Sequence, residues 1–168
     1  VTSLTGNYPN NSISELYSGC FDFSTLAANP VLSFNRRNLI EQDYDFAYIE
    51  YSENGTTWNR LGSIGQGTGW YNSATNQWTG NDTFWTVSSI QIPLSSMTQL
   101  DKVRFRCVFI SDNATSYEGL AIDDICIHQP PNKIFPGTGQ VSMVSSGNGW
   151  IDFVTDSQRI ASVNDMGQ

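Results

Sequence analysis

Apolar and polar residues in this chain alternate with a period of two, and no long stretch repeats with the period of a helix. The clearest alternation lies at 102–111, where Val103, Phe105, Cys107 and Phe109 interleave with Arg104, Arg106, Val108 and Ile110. Residues 45–52 and 84–93 predict further strands, and 20–24 and 31–34 predict shorter ones. Asn54-Gly55 predicts a tight hairpin into a returning strand at 58–64, because Asn-Gly supplies the positive φ angles such a turn needs. Residues 1–19 read as a loop with at most a short strand, and 95–100 as a short helical turn. Trp58 and Trp85, both on predicted strands, are expected in the core.

Two stretches disturb the pattern. Residues 65–83 are punctuated by Gly65, Gly67, Gly69 and Gly80 and carry Trp70, Tyr71 and Trp78. So long a loop inside a compact domain is usually functional or mobile. The second is the strand at 118–127, which has Asp123-Asp124 in its middle. Strand geometry puts Leu120, Ile122, Asp124 and Cys126 on one face and Ala121, Asp123, Ile125 and Ile127 on the other. If one face packs on a core, one aspartate points inward, and a buried unpaired carboxylate is strongly unfavourable. Three arrangements answer this. A calcium ion held by Asp123, Asp124 and Glu118 fits the preference of hard cations for carboxylate oxygens. Arg104 or Arg106 on a neighbouring strand would pair with the inward acid. Simple exposure of the acids is the third.

Pro130-Pro131 ends this unit. The tail at 130–168 reads as a linker followed by strands at 137–146, 149–155 and 159–163, either a docked hairpin or the start of a following domain.

The formal net charge of −8 over 168 residues argues against nucleic acid as a partner, which requires clustered positive charge. No apolar run is long enough to insert in a membrane as a helix. The abundance of Asn, Ser, Thr and Gly suits a secreted all-β protein. Cys20, Cys107 and Cys126 lack the close spacing of a zinc site and leave one disulfide plus a thiol, or three thiols, as alternatives.

An ordered set of motifs has then accumulated: Cys20-Phe21-Asp22-Phe23-Ser24, Asn29-Pro30-Val31-Leu32-Ser33-Phe34, Tyr44-Asp45-x-Ala47-x-Ile49-x-Tyr51-Ser52-x-Asn54-Gly55-x-x-Trp58, Trp78-Thr79-Gly80, Val103-Arg104-Phe105-Arg106, Ser111-Asp112 and Glu118-Gly119-x-Ala121-Ile122-Asp123-Asp124-Ile125. Over residues 4–128 this resembles the MAM-like jelly-roll domains of secreted and cell-surface proteins of Bacteroidetes-type bacteria, cargo of the type nine secretion route. The resemblance implies a jelly-roll β-sandwich of two antiparallel sheets over 1–129. It also implies one or two strands ahead of Thr5-Gly6-Asn7-Tyr8 that are absent here, and a structural calcium between first and last strands. The implied setting is an adhesin, or a module accompanying a protease or glycoside hydrolase.

For ligand contact the best candidates are Trp70, Tyr71 and Trp78, since sugar C–H faces pack on aromatic rings; the alternative is that they fold the loop over the core as a lid. Glu41, Asp43 and Asp45 form a second acidic group, read as a solvated loop, with Asp45 singled out because the resemblance places it at a strand start. His128 is the only histidine and has no triad partners, so catalysis is not expected. The expectation is a non-catalytic extracellular binding module with a glycan as ligand. The competing expectation is a module that packs on a neighbouring domain or protein. Exposed rings at Trp70 and Trp78 would favour the first, and a buried loop with an apolar patch elsewhere the second.

Overall fold

The computed structural model describes residues 6–129 and the strands at 142–145, 150–155 and 158–164. Contacts divide the chain into two units, 1–130 and 131–168, each described by itself.

The first unit is an all-β sandwich of strands β1 (Ile13–Tyr17), β2 (Val31–Leu39), β3 (Phe46–Ser52), β4 (Asn59–Arg60), β5 (Asn81–Gln91), β6 (Arg104–Ile110) and β7 (Gly119–His128). One sheet has the order β1-β6-β3-β4 and the other β5-β2-β7, with every pairing antiparallel. Apart from the β3–β4 hairpin, each successive strand lies in the opposite sheet, which is the winding expected of a jelly roll. Alternation sets the inward faces: along β2, Leu32, Phe34, Arg36 and Asn38 are buried while their neighbours are half-exposed. The core joins Leu32 and Phe34 to Ala47 and Ile49 of β3 and to Phe105 and Phe109 of β6.

Sequence and structure differ at several edges. Residues 20–24 make only the single bridge Phe21–Val103 instead of a strand. The turn after β3 is not a two-residue hairpin. Gly55 takes φ +78°, and the Asn54 side chain caps the loop by accepting the Thr56 and Thr57 amides at 2.9 and 2.8 Å. The returning strand is therefore only Asn59–Arg60. The expected helical turn is a single 3-10 turn, Leu94–Ser96. All three cysteines are free thiols.

β7 resolves the parity problem by a bulge. Asp123 lies opposite Asn35 and Cys126 opposite Ser33, so Asp124 and Ile125 together face the one position of Phe34. Asp124 takes φ +52°, a left-handed conformation that aspartate tolerates better than most residues. The extra residue reverses the alternation, so Leu120 and Ile122 point inward before the bulge and Ile127 after it, while both acids stay exposed. A local kink replaces what would otherwise be a buried charge.

In the second unit β8 (Ser142–Ser145), β9 (Trp150–Thr155) and β10 (Gln158–Asn164) form an antiparallel sheet of order β10-β9-β8. The expected strand starts at 137 and 149 lie outside the described residues. Among the described residues no helix is long and apolar enough to cross a membrane.

Candidate functional site

The aromatic loop is part of the core. Trp70, Tyr71 and Trp78 are all buried, with Trp78 fully sealed. Trp70 meets Trp78 edge-on at 5.2 Å, Tyr71 lies 4.7 Å from Trp78, and Phe34 of β2 packs edge-on against both tryptophans at 5.8 Å. Each polar atom of these rings has a backbone partner inside. Trp70 Nε1 donates to the Leu61 carbonyl at 2.9 Å and Trp78 Nε1 to the Gly69 carbonyl at 3.0 Å. The Tyr71 hydroxyl donates to the Ile49 carbonyl at 3.1 Å, and burial holds it neutral well above the usual tyrosine range. Two further bonds pinch the loop shut, Asn72 Nδ2 to the Thr79 carbonyl and the Thr79 amide to Asn72 Oδ1, at 2.9 and 3.0 Å. The three rings expected to contact a glycan therefore lie in the core, the arrangement of a loop folded over the sandwich as a lid.

Beneath the loop lies a group that the sequence reading passed over. Arg36, inward on β2, is buried with its guanidinium 5.1 Å from the Trp78 ring centroid. Its Nε donates to Ser88 Oγ at 2.9 Å, and Nη1 sits 3.3 Å from Asp82. Burial lowers its pKa, and Asp82 opposes that shift.

The acids of β7 do not converge. Asp124 accepts Asn35 Nδ2 at 2.8 Å, and Asp123 accepts the Asp124 amide at 2.8 Å. Glu118 pairs with Arg37 at 3.3 Å. Neither proposed arginine reaches them. Arg106 binds Glu15 and Glu50 at 2.7 and 2.6 Å and covers Trp58 at 4.5 Å, and Arg104 Nε meets Cys20 Sγ at 3.1 Å. The three acids expected to hold calcium, Glu118, Asp123 and Asp124, thus each have their own partner, with the aspartates turned outward by the bulge, and among the described residues they are not brought together as a metal-sized group.

Three other acids do converge. The ends of β3 and β6 are paired through Phe46 and Ile110, which sets Asp45, just before β3, beside Asp112, just after β6. Glu41 arrives from the turn after β2, and one carboxylate oxygen of each lies within 4.8 Å of the others. Asp45 is fully buried; it accepts the Tyr8 hydroxyl and, at 2.8 Å, the Asp112 amide. Burial first, and the bond to Asp45 second, hold the Tyr8 hydroxyl neutral well above its ordinary range. Glu41 Oε2 is shielded from solvent yet has no protein partner, and neither have both amide atoms of the buried Asn38 three residues earlier. Buried polar atoms left without protein partners call for a water or an ion. The Glu41/Asp43/Asp45 spacing flagged two of these acids. Asp43 is not among them and instead accepts Gln42 Nε2 at 2.8 Å, while Asp112 stood in the sequence only as part of the Ser111-Asp112 motif, with nothing to mark it as a ligand.

Apolar surface appears on β5. Between Asp82, opposite Asn38, and Thr86, opposite Arg36, three residues face the single Arg37, so 83–85 loop outward. Phe84 is 80% exposed, Trp85 52% and Val87 54%. Trp85 is thus not core as expected, and Trp58 is only half-buried. No family model matches the chain, and no curated protein does either.

Proposed function

We propose that this chain is a non-catalytic module of an extracellular protein that packs against another protein through the β5 excursion. The observation that carries this is the opposite placement of two aromatic groups. Three rings of the 65–80 loop, Trp70, Tyr71 and Trp78, are buried in the core, while Phe84, Trp85 and Val87, close in sequence, are exposed to solvent. An exposed aromatic pair on a short protruding segment is the kind of anchor that dominates protein interfaces. The test is photo-crosslinking in the producing cell from benzoylphenylalanine at position 84, with the same probe at position 44, where Tyr44 is 62% exposed, as control. The expected result is a discrete protein adduct from position 84 only. Equal adducts from both positions, or none from 84, overturn the reading.

The same reading places a structural calcium at Glu41, Asp45 and Asp112. It is supported by the unpartnered Glu41 Oε2 beside the buried Asp45. Bound only by the folded state, such an ion raises Tm with calcium concentration, and Asp45→Asn lowers that response. An identical Tm in millimolar calcium and in chelator removes the ion from the reading.

A further inference from the structure

At the end of β5 away from the 83–85 excursion, a recess of about 520 Å³ opens between the 62–67 segment, the chain at 90–93 and Asn29 just ahead of β2. Its volume falls in the range of small-molecule sites. Ile90 and Pro93 give it apolar wall, three carboxamides (Asn29, Gln66 and Gln91) give it polar groups, and no charged residue lines it. Two of the carboxamides are oriented by backbone. The Leu94 amide donates to Asn29 Oδ1 at 3.2 Å, and the Ser63 amide donates to Gln66 Oε1 at 3.0 Å. With each oxygen held by an N–H, Asn29 Nδ2 and Gln66 Nε2 remain as donors, and neither has a partner among the described residues. The wall is held as well. Thr68 and Ser89 exchange backbone bonds, and Gly62 lies so close to β5 that an added Cβ would overlap the Ile90 side chain.

We infer that this recess binds a small uncharged saccharide. Two oriented NH2 donors call for oxygen acceptors on the ligand, and the Gln91 carboxamide adds an acceptor and further donors. Sugar hydroxyls serve as both acceptors and donors, and the C–H groups of a sugar ring can lie on Ile90 and Pro93. Other ligand classes fit worse. A charged ligand meets no counter-charge in the lining, and the net charge of −8 opposes an anion. A purely aliphatic ligand would cover the two NH2 groups without pairing them. None of Trp70, Tyr71 and Trp78 lines the recess, so recognition here runs through carboxamides and not through ring stacking. The recess and the excursion lie toward opposite ends of β5, so this inference neither needs nor endangers the protein-docking reading.

The probes are the methyl glycosides of glucose, galactose, mannose and N-acetylglucosamine, together with maltose and cellobiose. Each is titrated at millimolar concentration into the isotopically labelled chain while backbone amide resonances are followed by NMR. Saturable shifts from at least one probe are expected, centred on 62–67 and 90–91. Asn29→Asp and Gln66→Glu keep the oxygens that accept the Leu94 and Ser63 amides and replace only the NH2 donors. Each is therefore expected to retain the parent Tm and to weaken binding about tenfold. Gln91→Leu alters an exposed side chain that holds no other part of the fold, and is expected to weaken binding about threefold. It decides the matter should either acidic variant lower Tm. A methyl glucuronide is expected to bind less well than the methyl glucoside. Four results overturn the inference: no saturable shift from any probe, shifts centred elsewhere, a glucuronide that binds as well as the glucoside, or affinity unchanged in the folded variants.

Discussion

Two aromatic segments adjacent in sequence meet opposite fates. Trp70, Tyr71 and Trp78 lie in a loop without regular structure and are buried, while Phe84 and Trp85 lie on a strand and are exposed. Secondary structure is therefore a poor guide to burial here, and hydrogen-bond supply is a better one. The loop closes because Leu61, Gly69 and Ile49 carbonyls receive the polar atoms of its three rings, so burying them leaves no donor unpaired. The strand opens because β5 has three residues where β2 has one, and the surplus has nowhere to go but outward.

Truncating one ring from each segment tests the contrast most directly. Trp78→Ala removes a sealed side chain that packs on Phe34, Trp70, Tyr71 and Arg36, and is expected to cost about 3–5 kcal/mol of stability. Trp85→Ala is expected to stay within about 0.5 kcal/mol. Urea unfolding of both variants decides it, and equal losses would mean that the two segments are not differently packed.

This also marks what the sequence made legible. Strand parity identified β2, β3, β6 and β7 and hence the all-β sandwich, because period two survives wherever one face is buried. It failed where an inserted residue reset the count, at Asp124 and at 83–85, since a bulge has no strong signature without glycine. It failed again at Asp112, whose place beside Asp45 follows from the pairing of β3 with β6, a register that no local pattern states. The inward Arg36 was unreadable for the same reason. Its partners Asp82 and Ser88 come from another strand, and Trp78 comes from the loop.

Backbone contact between the loop and β5 gives a second, smaller measure of the same contrast. The loop is tied to β5 by the reciprocal pair Thr68–Ser89, with both bonds at 2.9 Å. Gly67 permits this. It sits at φ +77°, and an added Cβ would overlap the Ser89 carbonyl oxygen. Gly65 has φ +80° with open space around it. Gly65→Ala therefore carries backbone strain alone, on the order of 1 kcal/mol, whereas Gly67→Ala adds loss of the bridge and is expected to reach roughly 2–3 kcal/mol. Thermal unfolding of the pair measures the difference. If the two substitutions cost the same, the loop is not held against β5.

A single hydroxyl, with a small effect at neutral pH, reports most specifically on whether the loop is closed. Tyr71→Phe keeps the ring but removes a hydroxyl that donates to the Ile49 carbonyl and accepts its amide, at 3.1 and 3.2 Å, for an expected loss of about 1 kcal/mol. Its signature lies at high pH. In the unfolded chain a tyrosine ionises near pH 10, while burial keeps Tyr71 protonated well above that in the folded protein. Above pH 10 unfolding therefore releases a proton, so the stability this group confers is complete below pH 10 and declines as pH rises beyond it. Tyr8 adds a second such group, held neutral by burial and by Asp45. Stability measured by urea unfolding between pH 8 and pH 11 should thus fall less steeply in Tyr71→Phe than in the parent, by at most ~1.4 kcal/mol per pH unit. An alkaline limb that superimposes on the parent's would mean that the Tyr71 hydroxyl titrates in water and the loop stands open, which would restore Trp70 and Trp78 as surface groups.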